Sequence, residues 1–524
     1  MPNFIENYWN ENSHLWNGEL VTRFPPEPNG PPHAGHALAA FWGFHLAEKF
    51  GGTCHLRMDD TNPEAESTEF VEAIVEAMDW LGMKWEGEVK YASDYFPFIG
   101  ELAKKMIMDG SAYMDFVDRE TMRSMRGTFT EPGRRSEDAD NFAEWHLDLF
   151  EHMTEGAFEE GECVLRARID MASPNMNLRD PVLYRVKKAA HHRTGTSWVV
   201  YPAYDFAHPA SDYAEGTVLS LCTLEFEDHR PFYDWVVEKC VRLMPDHRAT
   251  APPVELEFAR LELDRGVTSK RKIKALVEGG LVDGWDDPRL VTLAALRRRG
   301  FTPSSIRRFC EEAGLSKANS TIPFSRLEDF LRIDLDPIAP RRIVVARPVA
   351  LDVVEGGPAS PCLAEAPNHP KDEAMGIRPF EVSSSWWIDA DDIRAEGKAE
   401  KGFKRVEPGS VFRVMHGLIL ECLSVEEDAE GKIARVTAKV SDKKPRTTIH
   451  GLSRSIACPV EIWEPEVVSE GDADVSKLLT IRSGYCEPLA LETLGTWQAT
   501  RYGYCVVDPK KSGRIILATA LRGS

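Results

Sequence analysis

The chain has 524 residues, too many for one hydrophobic core, so three to five modules are expected. Its 43% hydrophobic and 28% charged residues are the balance of an ordinary soluble globular chain. The formal net charge of −21 argues against nonspecific coating of nucleic acid, while leaving room for local basic tracks such as Arg297-Arg-Arg299, Arg341-Arg342 and Lys443-Lys-Pro-Arg446.

The N-terminus lacks the basic region and apolar stretch of a signal peptide, and no apolar run approaches the length of a membrane span. The ten cysteines are scattered, with no C-x-x-C and no zinc-like spacing, and read as reduced thiols of a cytoplasmic protein. Thr22-Arg-Phe-Pro-Pro-Glu-Pro-Asn-Gly30 is a loop rich in Pro and Gly. His33-Ala-Gly-His36 follows it and opens an apolar run, Ala37–Ala47, that reads as a helix. Gly52–Met58 reads as a buried strand running into Asp59, and Glu69–Leu81 has the 3.6-residue period of an amphipathic helix. Strand, loop and helix in succession imply a parallel sheet with a ligand crevice at its carboxyl edge. Residues 102–200 look like an insertion, with helices and the turn-rich Arg126-Gly-Thr-Phe-Thr-Glu-Pro-Gly133. The sheet pattern returns at Ser197–Tyr201 and runs to about 260. Residues 260–335 are helical, with Arg and Lys in several turns. After Pro337, short β-branched strands such as Arg342–Ala346 and Ile433–Val440 suggest one or two β-barrels.

Two segments carry the chemistry. His33 and His36 stand at a helix N-terminus, where free backbone N–H groups and the macrodipole attract phosphate. Gly35 lacks a side chain, so a nucleotide can lie close to the backbone. Val267-Thr-Ser-Lys-Arg-Lys272 brings Lys270 and its neighbours to the same phosphates. Together they describe an ATP site that activates a carboxylic acid by adenylation.

These segments, with Leu56-Arg-Met-Asp-Asp-Thr-Asn-Pro63, Leu178-Arg-Asp-Pro-Val-Leu-Tyr-Arg185, Tyr201-Pro-Ala-Tyr-Asp-Phe-Ala-His208, Ser220-Leu-Cys-Thr-Leu-Glu-Phe226 and Gly284-Trp-Asp-Asp-Pro-Arg289, resemble the glutaminyl-tRNA synthetases, class I aminoacyl-tRNA synthetases. The resemblance is strong from about 20 to 345 and weaker afterwards. It implies an α/β fold with a Rossmann-type parallel sheet in two halves, 1–101 and 201–260. An acceptor-stem-binding insertion would span 102–200, a helical subdomain 261–337, and anticodon-binding β-barrels 338–524. Glutamine would be activated with ATP, carrying Mg²⁺ on its phosphates, and passed to the 3′ end of a glutamine tRNA. The implied protein is a monomer with no membrane partner.

The resemblance also implies roles. His33 and His36 contact the ATP phosphates, with Glu27 and Asn29 nearby, and Lys270 stabilises their charge as the carboxylate attacks. Arg260 and Leu261 border the adenine, and Thr223 lies near the nucleotide. Asp59 accepts from the substrate ammonium, Tyr204 orients the amino acid, Arg23 holds a substrate oxygen, and Cys222 lines the side-chain pocket. Phe129 is an apolar wedge at the acceptor end and Asp228 faces the stem. Arg341, Lys404 and Arg405 fall among the tRNA-contacting positions. Asp59 as a helix N-cap, and Tyr204 and Cys222 as core residues, are the bland competitors.

The chain also departs from the pattern. Pro31-Pro32 precede H-x-G-H, Thr268 replaces a methionine, and Glu255 stands where a glutamine is usual. Met415 replaces an arginine and Gly451 a tryptophan. These changes keep the ATP machinery and bear on amino-acid specificity and anticodon reading. The alternatives are a divergent paralogue charging another amino acid or serving a specialised pathway, a non-catalytic tRNA-binding module, and a small-molecule nucleotidyltransferase.

Overall fold

The computed structural model describes residues 3–247, 251–395 and 405–521. The chain divides into two units, one of residues 1–263 with 310–322, the other of 264–309 with 323–524.

The first unit is built on a five-stranded sheet ordered Lys90–Tyr91, Thr53–Met58, Val21–Phe24, Leu219–Thr223, Val254–Phe258, parallel at every pairing. The chain starts at the central strand, moves outward to one edge, and later returns to the other side. That reversal places a topological switch point between Val21–Phe24 and Leu219–Thr223, where open α/β sheets bind ligands at the carboxyl ends of their strands. Helix Ala34–Phe50 covers the sheet and is buried nearly all round, as its apolar sequence requires. It stops at Gly51, whose φ of 67° only glycine adopts without strain. Helix Thr68–Trp80 matches the periodic segment, with Ser67 capping the Phe70 N–H and Val71, Ile74, Ala77 and Met78 facing inward.

Between the sheet's two halves lies a second, antiparallel sheet of Ala112–Asp115, Val164–Ala167, Val182–Val186 and Val200–Pro202. The strand expected at Ser197–Tyr201 forms, but it pairs with Val182–Val186 rather than joining the parallel sheet. Its alternate residues Val200 and Pro202 and their neighbour Tyr201 are all buried, so its apolar run cannot say which sheet it joins. Leu165, Leu183, Phe150 and Met153 form the core there.

The second unit carries helices Lys270–Glu278, Leu293–Arg299 and Phe324–Leu335, followed by two seven-stranded sheets. Each sheet curls until its outermost strands are one residue apart in sequence. In one sheet these are Arg341–Arg342 and Val344–Val345, with Ile343 between; in the other, Thr447–Ile449 and Gly451–Ser453, with His450 between. Both are therefore nearly closed barrels, as the strand spacing predicts. Gly451 lies where an added Cβ would come within 3.1 Å of Ile388 and Val414, so this position is filled by its neighbours and admits no tryptophan.

Candidate active site

Of the residues expected at ATP, His33 and His36 stand at the N-terminus of Ala34–Phe50. His33 is the N-cap, and its Nδ1 accepts from the Gly35 N–H at 3.1 Å. His36 Nδ1 accepts from the His33 N–H at 3.2 Å, closing a capping box, and the two rings lie 4.0 Å apart. With both Nδ1 atoms accepting, each neutral ring carries its proton on Nε2, the donor a phosphate oxygen needs. A Cβ at Gly35 would come 2.9 Å from His33 Cε1. The missing side chain therefore makes room first for the His33 ring, where a close nucleotide approach is the expectation from sequence. Asn29 Nδ2 donates to Glu27 at 2.5 Å in the preceding loop. Thr223 ends its strand half-buried. Leu261 is buried at the start of the short Leu261–Leu263 strand, and exposed Arg260 pairs with Glu262 at 2.9 Å and with Glu225. Lys270 is the first residue of its helix, in the second unit.

The residues expected to hold the amino acid lie in or beside a buried charge network at the switch point. Arg23 donates to Asp212 at 3.1 Å, to the Leu221 carbonyl at 2.9 Å and to Ser220 at 2.5 Å, and its Nη2 lies 2.7 Å from His208 Nε2. Arg57 donates to Asp59 at 3.0 Å, Asp212 at 2.8 Å and Glu215 at 2.7 Å. Burial alone would raise these carboxyls; the adjoining guanidinium groups and His208 or His55 hold all three below the ordinary carboxylate range. Asp59 caps no helix. Its N–H donates to Pro26 and its carboxylate faces Arg57 and His208 Nδ1, the latter at 3.2 Å. Tyr204 opens helix Tyr204–Glu215, its ring 5.2 Å from that of His208. Cys222 Sγ lies 3.7 Å from Arg23 Nη2, and burial and Glu255 push its thiol well above the usual range. Glu255 sits on the neighbouring strand opposite Ser220, and burial raises its carboxyl.

Arg57, His208 and Asp212 went unnoticed in the sequence. Two signals were there: an arginine inside the otherwise apolar Leu56-Arg-Met58, and a His–Asp pair at i,i+4 on one helix face.

Among the tRNA-side positions, Phe129 is 82% exposed at the tip of a turn closed by Thr128 N–H donating to the Glu131 carbonyl at 3.1 Å. Asp228 is exposed, and its backbone carbonyl accepts from Asn175 and Asn177 at 2.7 and 3.2 Å. Arg341 pairs with Asp336 at 3.2 Å and donates to Ala339 O at 2.6 Å. Arg405 is half-buried, and Lys404 lies outside the described residues. Arg119, Arg123, Arg126, Arg166 and Arg185 line a cleft of about 740 Å³ in the inserted sheet. No helix among the described residues is long and apolar enough to cross a membrane.

Residues 19–337 match the family described as tRNA synthetases class I (E and Q), catalytic domain, and residues 339–441 match its anti-codon binding domain. The chain is 45% identical to a glutamine–tRNA ligase of Nitrosomonas europaea, over 97% of this chain and 95% of that one. It is 44% identical to the glutamine–tRNA ligase of Bordetella parapertussis, over 94% and 88%, and 41% to that of Clostridium perfringens, over 94% and 91%. The chain belongs to the class I tRNA synthetases of the E and Q group.

Proposed function

We propose that this protein activates glutamine with ATP as an aminoacyl-adenylate and transfers it to the 3′ end of glutamine tRNA. The observation that carries this reading is near-full-length identity of 41–45% to relatives named glutamine–tRNA ligase. The site's composition supports it: phosphate donors at a helix N-terminus, a buried carboxylate for an ammonium, and a side-chain pocket lined by Cys222 and Glu255, all at one sheet edge.

In this reading MgATP is the substrate, its metal carried by the phosphates. His33 and His36 donate Nε2–H to phosphate oxygens, beside Glu27, Asn29 and Thr223, while Arg260 and Leu261 border the adenine. Lys270 adds positive charge to the phosphates as the α-phosphorus is attacked, so charge developing in the transition state is met by fixed donors. Asp59 accepts from the ammonium, and Tyr204 orients the amino acid. The guanidinium of Arg23 is committed to Asp212, Ser220 and Leu221, so it acts on substrate through Cys222 and His208 more than by open donors. Glu255 faces the substrate amide. Acyl transfer to the ribose then needs alignment above all. Phe129 of the insertion and Asp228 of the 201–260 half grip the acceptor end. The barrels take the anticodon end, with Arg341, Lys404 and Arg405 supplying phosphate attraction. The protein acts as a cytoplasmic monomer.

The test is a charging assay with total tRNA and twenty separate amino acids. Glutamine alone should be esterified, in an ATP-dependent reaction. Charging of a different amino acid, or none, would overturn the reading.

A further inference from the structure

The segment 59–67 carries Asp59 and is held from three sides. Asp59 N–H donates to the Pro26 carbonyl and Ser67 N–H to the Pro28 carbonyl, both at 3.1 Å, tying it to the loop before His33. The Asp60 carboxylate accepts from Ser93 N–H at 2.8 Å and Ser93 O–H at 2.7 Å. The third hold comes from the inserted part of the chain. Buried His191 places Nε2 2.9 Å from the Asp60 backbone carbonyl. Its Nδ1 accepts from the Arg193 and Thr194 N–H groups, both at 3.2 Å, inside a turn closed by reciprocal His191–Gly195 backbone bonds of 2.8 and 2.9 Å. An Nδ1 that accepts fixes the proton on Nε2, so His191 donates to Asp60.

The same pattern settles a competing reading. Asp60, His191 and His192 bring ligand atoms within 4.8 Å of one another, as a cation site would. An ion would need the lone pair of His191 Nε2, and that nitrogen already carries a proton given to Asp60. The cluster is a hydrogen-bonded clasp. Of the other links from the insertion, His192 Nε2 lies 3.4 Å from the Asp60 carboxylate, and Lys187 reaches Glu64 at 2.9 Å, whose carboxylate is half in solvent and holds little.

We propose that His191 is a positioning residue: through its bond to the Asp60 carbonyl, the insertion fixes the neighbouring carboxylate of Asp59 at the amino-acid pocket. This rests on the reading that Asp59 receives the substrate ammonium. The Asp60 carbonyl lies one peptide unit beyond the Asp59–Asp60 plane, so a shift in it passes through the Asp60 dihedrals to the Asp59 backbone and side chain, and charge-assisted hydrogen bonds weaken with small misplacements. The loop before His33 meets this segment through the Pro26 and Pro28 carbonyls and not through His191, so amino-acid and nucleotide binding should respond differently.

Two substitutions separate the tether from the turn. His191→Asn keeps an acceptor near the place of Nδ1, and so the turn, but is too short to reach Asp60. His191→Gln puts an N–H in the place of Nε2. In charging assays with tRNA present, His191→Asn should raise KM for glutamine about tenfold, with KM for ATP and the melting temperature close to the parent, and His191→Gln should stay within about threefold. An unchanged glutamine KM in folded His191→Asn overturns the proposal. So does a parallel rise of both KM values, which marks general damage. Should His191→Asn not fold, Ser93→Ala loosens the same Asp60 from the other side. A severalfold higher glutamine KM there supports the proposal, and an unchanged one overturns it. If the parent protein charges no glutamine, the functional reading fails separately, and the same KM comparison is made with whichever amino acid it does charge.

Discussion

Replacing Glu255 by glutamine tests how the side-chain pocket tells an amide from a carboxylate. Glu255 is 4% exposed, and no ion pair among the described residues includes it. Burial raises its carboxyl, against the opposing pull of His208, Cys222 and Arg23. A raised value means that the proton is kept at low pH and lost as the pH climbs through that value. While protonated, Glu255 offers one O–H and one carbonyl, close in shape and pattern to a glutamine amide. Once ionised, it repels a substrate carboxylate. Two unit charges about 4 Å apart at an effective dielectric near 20 repel by about 4 kcal/mol, on the order of a thousandfold in kcat/KM. In the unsubstituted protein, the preference for glutamine over glutamate should therefore grow with pH. In Glu255→Gln it should stay flat, at the low-pH value of the parent. The assay is kcat/KM for both amino acids in tRNA charging, from the ordinary carboxylate range upward. A parent ratio that does not change with pH, or the same slope in Glu255→Gln, would refute the reasoning.

The phosphate donors give a second expectation: His36→Ala and Lys270→Ala should each slow adenylate formation at least about a hundredfold, the scale of one lost transition-state contact, with folding intact by circular dichroism. Near-normal charging by either would sink its assignment. Glu66, buried beside Asp60, has its carboxyl pushed up to about 9, first by burial and then by neighbouring acids. The folded state thus binds a proton that the unfolded state releases near 4.5, so this group's contribution to stability falls as pH rises between the two. Glu66→Gln should raise the melting temperature more at pH 8.5 than at pH 5.5, and an equal gain at both would show that the carboxyl is ionised when folded. Phe129→Ala should lower kcat/KM for tRNA about tenfold without moving the melting temperature. Changes to the acceptor pairs should cost more than anticodon changes, at about 1–3 kcal/mol per lost base contact. The reverse order in a set of tRNA variants would assign selection to the barrels.

What was legible in the sequence was what a single segment can carry. The helix after His33, the amphipathic helix near 69–81, the buried strand before Asp59 and the Ile433–Val440 strand each follow from local periodicity or capping, and the structure has them at nearly those bounds. What was not legible depends on partners far away in the chain. Arg23 and Leu221 are neighbours only because two parallel strands, nearly two hundred residues apart, lie side by side. The Ser197–Tyr201 run has the composition of a strand for either sheet, and its pairing with Val182–Val186, set in space, puts it in the antiparallel one. Barrel closure hinges on Ile343 and His450, single residues whose identity carries no sign of it. Gly451 stands where a tryptophan is usual, yet Ile388 and Val414 occupy the space.

The buried charges explain why the pocket can stay fixed without substrate. Arg23 and Arg57 are fully enclosed, and an enclosed guanidinium survives only if nearly all its donors are met. Asp59, Asp212 and Glu215 meet them, together with Ser220, His208 and a backbone carbonyl. Because each partner is shared, no one side chain can turn away without stranding another, so the network behaves as a unit. Two guanidinium groups face three carboxylates, and the remaining one, Glu215, is met by His55 at 2.7 Å and by the partly exposed Lys90 at 3.9 Å. Asp59 stands at the ligand edge of that network, and Lys90 lies at the far strand. If Asp59 receives the substrate ammonium as proposed, the ammonium meets a carboxylate already held ionised by Arg57 and His208.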